Sequence, residues 1–181
     1  MKIVIEFFTY WHCGSGVSGG SRVDALVAKD DRGLPYIPGK TLKGHIREMA
    51  ESLDDCKFLN TCFGGTADEN EPCYKREDKE KEGVCYFSNA ILREDIDEEL
   101  SSYLYKTISS TKIDNKGLAE NKSLREIEVT VPLKLYATID NCPDEYKENM
   151  KKALSQVKRI GLNRNRGLGR CEIYLEEKSY D

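Results

Sequence analysis

Lys40, Lys43 and Arg47 follow a turn, Gly33-Leu-Pro-Tyr-Ile-Pro-Gly39, that runs straight into a helix, and no acid stands between Arg32 and Arg47. Amides at a helix start, with cations added over its first turns, make a seat for an anion such as phosphate. A second acid-free cluster, Arg159 to Arg170, sets Asn163, Arg164 and Arg166 beside Gly167 and Gly169. Glycines admit a close backbone approach, and arginine grips phosphate with two parallel hydrogen bonds or stacks on a base. Two such clusters on an acidic chain point to a nucleic-acid backbone as ligand. Gly39-Lys40-Thr41 has the ending of a Walker A loop, but Leu34 stands where its first glycine belongs. Pro35 and Pro38 also remove amides that such a loop needs, so it is set aside.

Three further groups could do chemistry. Asp24 lies in a glycine-rich loop, where a carboxylate is either a turn former or, with RNA phosphates completing the shell, a holder of a divalent metal for phosphodiester cleavage. Asp30 and Asp31, before Arg32-Gly33, read as turn formers. Cys56, Cys62, Cys73 and Cys85 bracket a polar segment, and four thiolates satisfy a structural Zn2+. Their spacing lacks the short Cys-x-x-Cys pairs of the strong signatures, so free thiols with Cys85 in the core are the alternative; Cys13, Cys142 and Cys171 read as structural. His12, beside Tyr10 and Trp11, could serve as a general acid or base, or simply pack against aromatic rings.

The elements that must position these residues follow from periodicity. Residues 2–8 are β-branched and aromatic and predict a strand; residues 9–38 predict a long surface loop. Leu42, Ile46, Met49 and Leu53 make the buried stripe of a helix over about 41–53, with Lys43 and Arg47 on another face. Residues 66–83 hold seven acids and four bases in eighteen positions, which suggests a solvated insertion or a small metal-held knuckle spanning 56–85. Val84–Leu92 predicts a second strand, 104–127 an excursion of hairpin type, and Ile127–Ile139 a long alternating strand with Pro132 as an edge or bulge signal. Pro143 opens a helix, and Cys171, Ile173 and Leu175 alternate in a last strand. The order strand–helix–strand, excursion, strand–helix–strand is the α+β, split βαβ or ferredoxin-like plan.

At 181 residues the chain fits one domain, 1–181. A net charge of −4 argues against indiscriminate nucleic-acid binding but permits a local basic groove. No apolar run is long enough to span a bilayer, and Glu6 interrupts any signal-peptide core, so a cytoplasmic location and no membrane partner are expected. Seven cysteines in such a chain read as thiols or metal ligands rather than disulfides.

Four stretches resemble the RAMP superfamily of CRISPR effector complexes, and within it the backbone subunits of type III and type III-derived systems. They are Gly19–Asp24 with Leu34–Gly44, Cys62-Phe-Gly64 with Val84–Leu92, Ile113–Ala119 through Leu124 and Glu128, and Gly161–Gly169. The resemblance implies a ferredoxin-like palm with a projecting thumb, whose Ile108 and Ile113 would press against or displace a base. It implies a guide (CRISPR) RNA held by Arg22, Gly39, Lys40, Thr41, Lys43, Gly44, Arg47, Lys112, Asn163, Arg164, Arg166, Gly167 and Gly169. The partners implied are the guide RNA, target RNA, copies of the chain itself and other effector subunits of an antiviral ribonucleoprotein. Asp24 falls where active members carry an aspartate that supports target cleavage with Mg2+. A binding scaffold and an endoribonuclease therefore stand side by side, with a guide-processing ribonuclease using His12 as the third reading.

Overall fold

In the computed structural model, which describes residues 1–16, 23–65, 73–74, 81–94, 96–121 and 123–176, the β-branched start forms β1 (Lys2–Phe7). It lies between β5 (Lys134–Asp140) and β6 (Cys171–Leu175), with β2 (Tyr86–Phe87) on the outer side of β5. All three pairings are antiparallel. Ile3 lies opposite Ala137 and Leu175, and Ile5 opposite Leu135 and Ile173, so the apolar residues of three strands share one face. That face forms a single core with Leu42, Ile46 and Ala50 of α1 (Gly39–Glu51) and Met150, Ala153 and Leu154 of α4 (Lys147–Gln156). The sheet order β2-β5-β1-β6, with one helix crossing over in each half, is the ferredoxin-like palm that the periodicity predicts.

The thumb is a second, two-stranded sheet of β3 (Tyr105–Ser110) and β4 (Arg125–Thr130), after the short helix α3 (Glu98–Ser101). The alternation from Ile127 to Ile139 is therefore not one strand. β4 ends at Thr130, and Val131–Leu133 hands the chain from thumb to palm. Pro132 has no N–H to offer a ladder, and the Val131 carbonyl accepts from the Trp11 indole instead. The second strand is also shorter than predicted. Beyond Phe87 the Asn89 side chain turns to accept from the Gly39 N–H at 2.8 Å, and pairing resumes only as single bridges, Ala90 with Ile37 and Ile91 with Tyr136.

Two regions are more buried than their composition suggests. Trp11, Cys13, Val27, Ala28, Leu34 and Ile37 of the expected surface loop are all core residues. The segment expected to open a polar insertion at 56 instead begins with a core helix, α2 (Cys56–Phe63), capped by the Asp55 carboxylate on the Phe58 N–H and burying Phe58, Leu59, Cys62 and Phe63. Most of the polar stretch 66–83 lies outside the described residues. Cys56 and Cys73 are joined as a disulfide, against the expectation that the cysteines are thiols or metal ligands.

Two glycines of α1 differ in what surrounds them. A Cβ on Gly39 would stand 2.2 Å from the Phe87 carbonyl oxygen, whereas one on Gly44 meets nothing within 4 Å. Gly39→Ala should destabilise the protein by about 1–3 kcal/mol, as overpacking does. Gly44→Ala should stabilise it by about 0.5–1 kcal/mol through helix propensity. Denaturant unfolding without RNA measures both, and a harmless Gly39→Ala would contradict the packing.

Candidate nucleic-acid interface

α1 carries its cations on more than one face. At about 100° per residue, Lys43 and His45 lie on opposite flanks, with the exposed ridge Lys40–Gly44–Glu48 between them. Arg47 donates from Nη1 to the Gly64 carbonyl at 3.0 Å and from Nε to Glu51 at 3.3 Å, so it clasps the end of α2. Lys43, on the same flank, is half-buried and acts electrostatically on Cys85. The first amide of the helix is occupied by Asn89, so the Gly39 N–H is not open to a phosphate. Lys40 and Thr41 border a cleft of about 380 Å³ with Lys29, Tyr36 and the Gly14–Gly16 backbone.

The C-terminal loop meets the other flank. Asn163 takes a left-handed conformation (φ 55°), a 3₁₀ turn covers Arg164–Arg166, and Gly167 (φ 95°) closes it. Arg164 donates to both oxygens of Glu48, at 2.8 and 3.0 Å, with its Nη1 also 3.2 Å from His45 Nδ1. The loop is pinned beneath by Leu162 N–H to the His12 carbonyl and Gly169 N–H to the Tyr10 carbonyl. A Cβ on Gly161 would lie 2.2 Å from the His12 oxygen and one on Gly169 would lie 2.0 Å from the Ile160 oxygen, so internal packing requires both glycines. Gly167 has open space around it. A cleft of about 540 Å³ runs along the junction, lined by His45, Glu48, Lys158, Arg159, Arg164 and Asn165 among others. The two basic segments, distant in sequence, are thus neighbours, joined by an acid that sequence reasoning passed over. Glu48 is the first acid after the acid-free run and sits on the ridge next to Gly44.

Asp24 is exposed, and its carboxylate accepts the Glu126 N–H at 2.8 Å while its own N–H donates to the Glu126 carbonyl. The loop continues along β4 in parallel, with the Glu128 carboxylate taking the Val27 N–H and the Lys29 ammonium. Asp24 is therefore held at the thumb, and among the described residues no group of three or more potential metal-ligating side chains includes it. Arg22 lies outside the described residues. Ile113 is 63 % exposed, whereas Ile108 is half-buried opposite Ile127; Lys112 pairs with Glu120. His12 is buried, its Nδ1 2.6 Å from the Glu128 carbonyl, which makes it a core histidine rather than a catalyst at a surface.

The four cysteines proposed as one ligand set are divided. Cys56 and Cys73 bond to each other, while Cys62 and Cys85 meet Cys142, a residue that the sequence reads as structural and outside the ligand set. Burial and the neighbouring Cys85 push the Cys142 thiol up to about 11.

A family model described as "RAMP superfamily" matches residues 4–172. Two solved structures share the fold. One is described as "Cryo-EM structure of the Type III-B Cmr-beta bound to cognate target RNA", with a chain 13% identical at a TM-score of 0.72, covering 95% of this chain and 95% of that one. The other, "Type III-B Cmr-beta Cryo-EM structure of the Apo state", has a chain 14% identical at a TM-score of 0.72, covering 98% and 97%. No curated protein sequence matches. Among the described residues no helix is long and apolar enough to cross a membrane.

The junction should be acid-sensitive. Burial, and then the Arg164 charge, hold His45 below its ordinary value of 6.5. Below about pH 6.5 the unfolded chain therefore binds more protons than the folded one, and stability falls with pH. Glu48, held low chiefly by its hydrogen bond to Arg164, loses its contribution on further acidification; at 46% side-chain exposure that contribution is small. Between about pH 7.5 and about pH 5.5 the thermal midpoint should fall, and His45→Gln should lessen the fall. Identical pH profiles for the two proteins would remove His45 from the account.

Proposed function

The chain belongs to the RAMP superfamily, and from that premise we propose that it is a guide-RNA-binding backbone subunit of a type III CRISPR effector complex. Copies of itself, other effector subunits and target RNA would be its partners. The observation that carries the reading is the meeting of the Arg164 bend with α1 one to two turns after Lys40, beside a cleft bordered by Lys158 and Arg159. A likeness to two Cmr-beta chains, one from a complex described as bound to cognate target RNA, supports it.

In this reading the strand crosses α1 at Gly44, the low point of the exposed ridge, because no side chain projects there. Lys40 meets a phosphate on one side of the crossing, and Arg164 and Arg166 meet others beyond it. Lys43 and Arg47, on the α2 flank, contribute field more than contact. Glu48 opposes the strand and holds Arg164 until a phosphate takes its place, exchanging one anion for another on the same guanidinium. Recognition is of backbone and shape, leaving sequence to base pairing.

A second reading, that the subunit also cuts target RNA, is favoured by the exposed Asp24 carboxylate fixed at the thumb. Mg2+ would supply the stabilisation of the attacking and leaving oxygens, and Asp24 would be the residue to hold it, with RNA oxygens as the remaining ligands. Asp24→Ala should abolish Mg2+-dependent cleavage by the assembled complex and leave guide binding unchanged. Cleavage that survives the change would restrict the subunit to a scaffold.

RNA binding itself is tested by titrating a single-stranded guide at several salt concentrations. Replacing Lys40 and Arg166 by Ala should weaken binding for all sequences alike. It should also flatten the slope of log affinity against log salt by about 1.4, at about 0.7 per phosphate contact. Glu48→Gln should strengthen binding. An unchanged slope in the double variant would reject the interface.

A further inference from the structure

Cys62, Cys85 and Cys142 converge from three elements at one end of the palm. Cys62 sits in the last turn of α2, Cys85 directly precedes β2, and Cys142 follows β5. Their sulfurs all lie within 4.8 Å of one another, with Cys62 and Cys85 buried and Cys142 half-buried. The backbone builds this meeting. The Cys85 N–H donates to the Cys62 carbonyl at 3.2 Å and the Val84 N–H to the Thr61 carbonyl at 2.9 Å. Gly83 comes so close to the end of α2 that a Cβ there would stand 2.5 Å from the Cys62 oxygen. Tyr86 pairs with Asp140, which delivers Cys142 two residues further on.

Buried thiols drawn together from three elements are a donor set for a soft cation, and sulfur ligands select zinc or copper(I) over the hard ions. A zinc–sulfur bond of about 2.3 Å sets tetrahedral sulfurs about 3.8 Å apart, so the three need close in by no more than about 1 Å. Cys56 and Cys73 are consumed by their own disulfide and leave these three as the set.

We propose that Cys62, Cys85 and Cys142 form a zinc site, three thiolates with water in the fourth position on the half-buried Cys142 side. Binding takes one Zn2+ and releases one proton from each thiol. The site carries one net negative charge, which the Lys43 ammonium on α1 offsets. It ties α2, the start of β2 and the β5–α4 connection into one unit, and it does not depend on whether RNA is bound.

Titrating the full-length protein anaerobically with Co2+, its Cys56–Cys73 disulfide intact, and measuring metal content after reconstitution with Zn2+, tests the site. One equivalent of zinc and a near-ultraviolet sulfur-to-cobalt charge-transfer band are expected. Cys142→Ser should weaken Co2+ binding at least about tenfold, since losing a ligand costs no less than losing a group that merely supports one. The double variant Cys56→Ser, Cys73→Ser should keep both the stoichiometry and the band. Thermal unfolding confirms that each variant is folded, and Cys142, being half-buried, accepts serine at little cost. Metal-free wild type after reconstitution overturns the proposal. So does loss of the band in the Cys56/Cys73 variant, which would move the metal to the polar insertion, and so does its persistence in Cys142→Ser.

Discussion

The fold depends on a short strap of chain after β1, centred on Trp11 and His12. Trp11 is fully buried, stacked on Phe7 with ring centroids 4.5 Å apart, and its indole N–H reaches the Val131 carbonyl at 3.1 Å. Its backbone exchanges hydrogen bonds with Thr130 at 3.1 and 2.8 Å. One residue on, the His12 ring contacts the Glu128 carbonyl and its own carbonyl accepts from Leu162. Two residues thus touch the palm, the thumb and the C-terminal loop. A buried indole combines a large apolar area with one donor that must be satisfied. Its placement therefore fixes the point at which β4 must end and the chain must cross to β5.

The thumb in turn organises the loop that bears Asp24. The Glu128 carboxylate, with 15% of its side chain exposed, takes the Val27 N–H at 3.0 Å and the Lys29 ammonium at 2.8 Å, while Tyr105 donates to the Gly33 carbonyl at 2.6 Å. Lys29 also lies 3.8 Å from the centre of the Tyr105 ring. A loop with little regular structure of its own is held in one place because its amides borrow partners from an adjacent strand. Asp24 inherits its position from the thumb, so thumb and loop should move together if either moves.

The palm was legible because its signals are periodic. Alternation in 2–8 and 171–175 and the stripe Leu42, Ile46 give strand and helix without tertiary information. The rest failed where a distant partner overrides local pattern. Nothing near Val131 reveals that Trp11, 120 residues away, claims its carbonyl. Nor does Val84–Leu92 reveal that Asn89 leaves its strand to cap Gly39. Loop 9–38 looked exposed because it lacks a period, yet a loop can be buried when its backbone groups are bonded elsewhere, as those of Trp11, Ala28 and Ile37 are. The cysteines followed the same rule: spacing suggested a quartet, and Cys142 entered the cluster only through the pairing of β2 with β5.

Charge shows the same limit most clearly, because a sequence counts cations but not the anions that hold them. Arg47 is clasped by Gly64 and Glu51, Arg164 by Glu48, and Lys112 by Glu120, so three of the basic residues that look most available already have partners. For Lys40 and the Arg166 side chain no partner occurs among the described residues. The distinction bears on how a chain of net charge −4 can hold a polyanion without binding every polyanion it meets. A guanidinium already paired gains only the difference between phosphate and carboxylate, whereas an unpaired ammonium gains the whole attraction and the released counterion. On the proposed reading, basic residues held by neighbouring acids disfavour weak, undirected encounters, and a strand that also reaches Lys40 and Arg166 makes enough contacts to open them. Glycine obeys the same constraint of space: Gly39, Gly161 and Gly169 are needed for packing within the chain, whereas Gly33, Gly44 and Gly167 face open room.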